Sequence, residues 1–237
     1  MRPFGHAEDL DLDFGQADRQ SLITTLLAHC DEPRDAAFWW SQTVGARIAA
    51  LLQLVALTER RESLALSARC ARTACGATFE FELPLPPLIA SAGDVGTFEL
   101  QLGERKLRLR RPIGQDLRQW RQAQPASRAA AVRLMLDTLL VEGTVHLEEA
   151  APVAERITAA DPLVDFAASG PCPLCGVTSE VPIDLETLAL QRCHAQQRAL
   201  LREVHCLARH YGWTEPEVLA VPPARRAQYL ALLEEQR

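Results

Sequence analysis

The chain has 237 residues, 48% of them hydrophobic, and a formal net charge of −6. That length and apolar content allow a sizeable buried core, which excludes a disordered chain. The acidic balance argues against a general affinity for phosphate backbones, because non-specific nucleic-acid binding is driven by counterion release to clustered Lys and Arg.

Residues 1–20 are acidic and poor in apolar side chains (Glu8, Asp9, Asp11, Asp13, Asp18), which predicts a flexible arm. Helical periodicity then takes over. Residues 21–29 read as one helix and 46–57 as another, with Ile48, Leu51, Leu52, Val55 and Ala56 spaced to make one apolar face. Trp39 and Trp40 lie between them as core or interface anchors. Residues 64–68 lead to Cys70, residues 78–83 alternate as a strand, and Pro84, Pro86 and Pro87 end it.

Two further strands, 98–102 and 106–109, flank Gly103-Glu104-Arg105, a tight hairpin in which glycine supplies the positive φ. The second of them is the one basic stretch of the chain. Alternation puts Lys106, Arg108 and Arg110 on one face, a solvated surface or a dock for an acidic partner, and Leu107 and Leu109 on the other. Helices follow at 115–122 and 127–140, the latter with Ser127 as N-cap, and a short one at 151–160. Glu148 and Glu149 read as solvated surface. A long helix at 185–210 ends at Gly212, Thr214-Glu215-Pro216-Glu217 opens a short helix as a capping box, and 224–235 closes the chain. The whole reads as an α+β protein, mostly helical with a small antiparallel sheet. Its regions are helical 21–69, knuckle and hairpin 70–111, helical 112–169, and knuckle plus C-terminal helices 170–237, in one metal-clamped domain.

The most specific signal is a repeated phrase. Cys75-Gly76-Ala77-Thr78 aligns without a gap against Cys175-Gly176-Val177-Thr178, and the alternation that follows is shared as far as Leu85 and Leu185. Each copy has a second cysteine upstream, in Cys70-x4-Cys75 and Cys172-x2-Cys175. Two thiols on a tight turn, followed by a glycine and a strand, supply half of a tetrahedral site, so two such turns predict one structural Zn²⁺ held by Cys70, Cys75, Cys172 and Cys175. A redox pair of the thioredoxin kind normally opens a helix, whereas here a strand-like run follows. Cys30, Cys193 and Cys206 are left over. The adjacent pairs Cys193-His194 and His205-Cys206 point about 100° apart on a helix, so neither chelates an ion alone, and whether one of these residues replaces a knuckle ligand stays open.

An odd number of cysteines without an export signal predicts reduced thiols and a cytoplasmic protein, and no apolar run is long enough to cross a membrane. No Walker or dinucleotide loop, His-Glu-x-x-His or Gly-x-Ser-x-Gly is present. A closed four-thiolate site keeps no position for water, so the reading is a non-enzyme with no catalytic residues.

With these residues in view, the chain resembles the baseplate-hub assembly proteins encoded with contractile phage tails and related extracellular contractile injection particles. The resemblance lies in Arg110-Arg111-Pro112-Ile113-Gly114-Gln115-Asp116 after the hairpin and in the two knuckles flanking it in the same order. It continues through residues 200–220, with Tyr211-Gly212-Trp213-Thr214, and the ending Pro223-Ala224-Arg225-Arg226-Ala227-Gln228-Tyr229-Leu230. The chain departs from that pattern at Cys70-x4-Cys75, where two spacer residues are expected. The resemblance implies a structural or chaperone-like assembly accessory that contacts baseplate or hub proteins and not nucleic acid or membrane, in an oligomeric state left open. The alternative is a zinc-ribbon nucleic-acid or transcription accessory.

Overall fold

A computed structural model describes residues 1–93 and 96–235. The α+β class holds, and the strands fall into three separate antiparallel sheets rather than one. Helices α1 (Arg19–Cys30), α2 (Ala36–Ser41) and α3 (Val44–Glu59) come first. Each starts on a side-chain cap: Asp18 accepts from Ser21 N, Asp35 from Phe38 N and Thr43 from Ala46 N. Helix α3 is the axis of the main core, with Leu51, Leu52 and Leu54 fully buried.

Strands β1 (Ser63–Arg69) and β2 (Thr78–Pro84) form the first ribbon, so the region read as helical to residue 69 ends in a strand. The proline run then opens α4 (Leu85–Ala90) rather than only ending the strand. Pro86 and Pro87 fall in its first turn, where backbone N–H groups have no intrahelical partner to lose. Strands β3 (Thr97–Leu102) and β4 (Arg105–Arg110) make the predicted hairpin, with Gly103 at φ +61°. Helices α5 (Gly114–Ala123) and α6 (Arg128–Leu139) follow, and then β5 (Leu140–Glu142), which pairs with β4. Sheet β3-β4-β5 lays Leu100, Leu107 and Leu109 against Leu136 of α6 and Val153 of α7 (Ala150–Ala160), a second and smaller core.

The arginines of β4 are paired with its own neighbours. On the outer face Arg108 pairs with Glu142 at 3.1 Å and Arg110 grips Asp116 at 2.6 and 2.8 Å, while Arg105, on the other parity, reaches Glu149. Glu149 also accepts from His146 N, so it is a capping group and not simply solvated surface.

Strand β7 (Thr178–Pro182) is the strand-like run expected after the second knuckle, and it pairs with β6 (Ala167–Pro171), which begins inside the region read as helical to residue 169, to make the second ribbon. Helix α8 (Leu185–Tyr211) has 27 residues and runs about 40 Å at 1.5 Å per residue. Its first half packs on the main core through Leu185, Ala189 and Cys193. Its second half builds a third core from Val204 and Leu207 with Val218 of α9 (Glu215–Ala220) and Leu233 of α10 (Pro223–Glu234). Gly212, at φ +70°, ends α8, and Glu217 closes the predicted box by accepting from Thr214 N at 2.7 Å.

The flexible arm is corrected. Phe4 is in the main core and Asp9 is fully buried, accepting hydrogen bonds from Gly5 N, His6 N and both terminal nitrogens of Arg2, with His29 at 3.1 Å. Gln197 of α8 donates to the carbonyls of Asp9, Leu10 and Leu12. An acidic composition misleads here because the key carboxylate is neutralised inside the segment itself, leaving Phe4 free to anchor the chain.

Candidate metal centre

Each ribbon narrows into a cysteine turn. In the first, the ladder ends at Arg69 opposite Thr78, Cys70 N donates to Ala77 O at 2.8 Å, and Cys75 N and Gly76 N both donate to Arg72 O. In the second it ends at Pro171 opposite Thr178, Cys172 N donates to Val177 O at 2.9 Å, and Gly176 N donates to Cys172 O. Gly76 and Gly176 have φ of +56° and +70°, so the glycine of each repeat supplies a left-handed backbone that a side chain would strain. The two extra spacer residues of the first turn are absorbed in the loop. Both turns still close on the residue two beyond the second cysteine.

The turns face one another. Cys70 Sγ lies 3.5 Å from Cys175 Sγ, Cys75 Sγ lies 4.0 Å from Cys172 Sγ, and all four sulfurs are within 4.8 Å of each other. Metal–sulfur bonds of about 2.3 Å in a tetrahedron require sulfur–sulfur edges of about 3.8 Å, so this cage fits one ion with small adjustments. The four thiols could therefore hold a metal. Cys70 and Cys172 are buried, whereas Cys75 and Cys175 are half-exposed.

The two buried thiols are tuned in opposite directions. The backbone amides of Leu174 and Cys175, directed at the sulfur, hold Cys172 down to about 7, whereas desolvation pushes Cys70 up to about 11. Of these two, the sulfur that ionises more readily sits on the shorter turn.

The leftover residues stand elsewhere. Cys30 and Cys193 are buried in the main core, and His194 stacks on Phe14 with ring centroids 5.1 Å apart. Cys206 packs on the third core and His205 is exposed. Among the described residues the only such cluster that could hold a metal is Cys70, Cys75, Cys172 and Cys175.

One supporting residue escaped the sequence reading. Ser179, 2% exposed, accepts a hydrogen bond at 3.0 Å from Ala71 N of the other turn, a direct stitch between the ribbons. The signal was in the repeat: at this place the first copy carries Phe79 and the second a small hydroxyl.

A scan against protein-family models finds no match, and comparisons with curated proteins and with solved structures find none either.

Proposed function

We propose that this is a non-catalytic structural protein in which one Zn²⁺ clasps two β-ribbons, and that it acts through protein–protein contacts as an assembly accessory. The observation that carries the reading is the closed four-thiol cage. Four sulfur ligands complete a tetrahedral zinc, leave no position for water or substrate, and make the ion a cross-link. Structural zinc of this kind couples roughly 10 kcal/mol or more of binding free energy to folding.

The partner class comes from the resemblance to contractile-tail assembly proteins, which supports baseplate or hub components. The contact surface we assign to the C-terminal unit. There the rings of Tyr211 and Trp213 stack, Tyr229 meets both edge-on, all with centroids within 5.5 Å, and Leu201 and Leu232 are more than two-fifths exposed. Aromatic clusters of this kind are favoured interface anchors. Arg226 is spent internally, on Glu203 at 2.9 Å and on Val221 O, so Arg225 is the arginine left for a partner. Against the zinc-ribbon nucleic-acid alternative, the two ribbons carry Arg69 and Arg72 against Glu80, Glu82 and Glu180, one net negative charge where a phosphate-binding ribbon needs a basic surface.

The test is deletion from Pro223 onward in the native host. The shortened protein should keep one zinc and its main core, because the third core shares α8 with the first but none of its buried side chains. Particle assembly should fail. Normal particles from the truncated protein, or affinity capture of the full chain that recovers no tail component, would remove the assembly reading. Metal analysis without zinc would remove the clasp.

A further inference from the structure

A groove of about 310 Å³ opens between the two ribbons. That is the small end of the range for binding sites, room for a few side chains rather than a cofactor. One wall is Phe79 and Phe81 of β2, half-buried rings that belong to none of the three cores, although Leu83 on the same face does. The other wall is Ala168, Gly170 and Val181 of the second ribbon. These share a face with Ser179, whose hydroxyl meets the first cysteine turn, so the inner faces of the ribbons look at each other. A Cβ at Gly170 would meet nothing within 4 Å, so this wall leaves open space where a side chain would fit.

Both ribbons also turn an unpaired strand edge to the groove. In the first, Leu85 N donates to Glu62 O and Cys70 N to Ala77 O, one bonded pair just beyond each end of the ladder. Bonded and non-bonded pairs alternate in an antiparallel ladder, so the backbone of Phe79 and Phe81 is bonded to β1, and that of Glu80 and Glu82 points away from it. In the second, Ile183 N donates to Phe166 O and Cys172 N to Val177 O, which by the same alternation points the backbone of Ser169 and the carbonyl of Pro171 away from β7. Glu80, Glu82, Ser169 and Pro171 all line the groove, and each ribbon has only two strands. These edge groups therefore have no backbone partner among the described residues. An open edge beside an apolar face is the arrangement that accepts an added strand.

The charge of the β2 edge narrows what that strand can be. Glu80 and Glu82 are both exposed, and Glu82 accepts from Ser63 Oγ. Arg69, the cation on their face of the ribbon, lies with its guanidinium beside Gly76 at the turn. Side chains of an incoming strand would alternate between Phe79 and Phe81 on one face and the two carboxylates on the other.

We propose that an extended segment of a partner protein enters this groove as a strand added to β2. It pairs its backbone with Glu80 and Glu82, sets apolar side chains at alternate positions against Phe79 and Phe81, and sets Lys or Arg between them against the carboxylates. This surface is separate from the C-terminal contact assigned above, and its partner is defined by the alternating pattern alone.

The test is a titration of the intact protein with a capped peptide of valines alternating with lysines, followed by amide chemical shifts. Saturable shifts should appear at residues 79–82 and 168–171. The same peptide with glutamate for lysine should bind about tenfold more weakly, since cross-strand attractions become repulsions. The peptide with every amide N-methylated, and so no donor for the β2 edge, should not bind. Glu80→Lys with Glu82→Lys should reverse the charge preference, and Gly170→Leu, which fills the groove without a clash, should block binding. Absence of saturable shifts, equal affinity for the lysine and glutamate peptides, binding of the N-methylated peptide, or wild-type binding by the Gly170→Leu protein would overturn the site. So would shifts at these residues that follow protein concentration alone, which would give the groove to a second copy. Should a variant fail to fold, the comparison of peptides on the unaltered protein decides. Metal content read on the same sample keeps the two readings apart: lack of metal removes the clasp, and lack of peptide binding removes the added strand.

Discussion

Single side chains in this protein hold segments far larger than themselves, and Asp9 is the clearest case. Burial alone would raise its carboxyl, but hydrogen bonds from Arg2, His6 N and Gly5 N outweigh that and hold it below the usual carboxylate value. A depressed carboxylate contributes stability that is present above its unfolded value and is lost as pH falls through its folded value. The N-terminal segment should therefore come loose in acid, below about pH 4. Hydrogen exchange of residues 1–18 should accelerate there, and Asp9→Asn should give the same acceleration already at pH 7. Unchanged protection in that variant would show that Phe4 and the Gln197 hydrogen bonds hold the segment without the carboxylate. The cysteines divide as sharply. Cys172→Ser should abolish metal binding by the four-thiol cage, as measured by metal content. Cys30→Ser should retain it while losing about 1–3 kcal/mol for a buried hydroxyl without an assured partner. Burial pushes the Cys30 thiol up to about 12, so it should also resist thiol reagents in the folded protein.

Among the elements, the start of α3 offers a test in which local and tertiary rules disagree. Gly45 lies in the first turn of this helix, and glycine to alanine in a helix normally gains up to about 1 kcal/mol. Here the Asp161 carboxylate accepts from Gly45 N at 3.0 Å, and a Cβ would stand 1.8 Å from Asp161 Oδ1. Gly45→Ala should therefore lower stability, by about 1–3 kcal/mol, in a denaturant melt. The same contrast explains what was legible beforehand. Periodic helices, the Gly103 hairpin and the Thr214 box could be read because their causes lie within a few residues of one another. So could the cysteine turns, since thiol, glycine and strand are all local. The second strand of each ribbon copy was visible by alternation, whereas β6, Ala167–Pro171, was not. It has no apolar period, and it is a strand because it pairs with β7 under the knuckle. Strand β5 was hidden for a similar reason, being three residues that pair only with β4. That the two knuckles meet, and that Ser179 joins them, depends on contacts about a hundred residues apart.

For the whole molecule, the two ribbons would depend on a metal in the four-thiol cage to different degrees. The first places Leu64, Ala68 and Leu83 among the buried side chains, and Leu64 and Leu83 belong to the main core. The second, outside its cysteine turn, buries only Ser179. Treating the metal-loaded protein with a chelator should therefore free residues 167–182 to exchange amide hydrogens while residues 63–84 stay protected. Equal loss in both would mean that the first ribbon too is held by the ion rather than by its leucines. The separation of the clasp in the chain has a consequence during synthesis. Cys75 and Cys172 are 97 positions apart, which at about 5–20 residues per second is roughly 5–20 s of translation. Throughout that interval the nascent chain carries half a cage, two thiols with no partners, while the hairpin and the four helices α4 to α7 that will occupy the loop are still being made. Closure comes only when the second turn emerges, so a metal bound by the four thiols would record that the intervening hundred residues have been delivered.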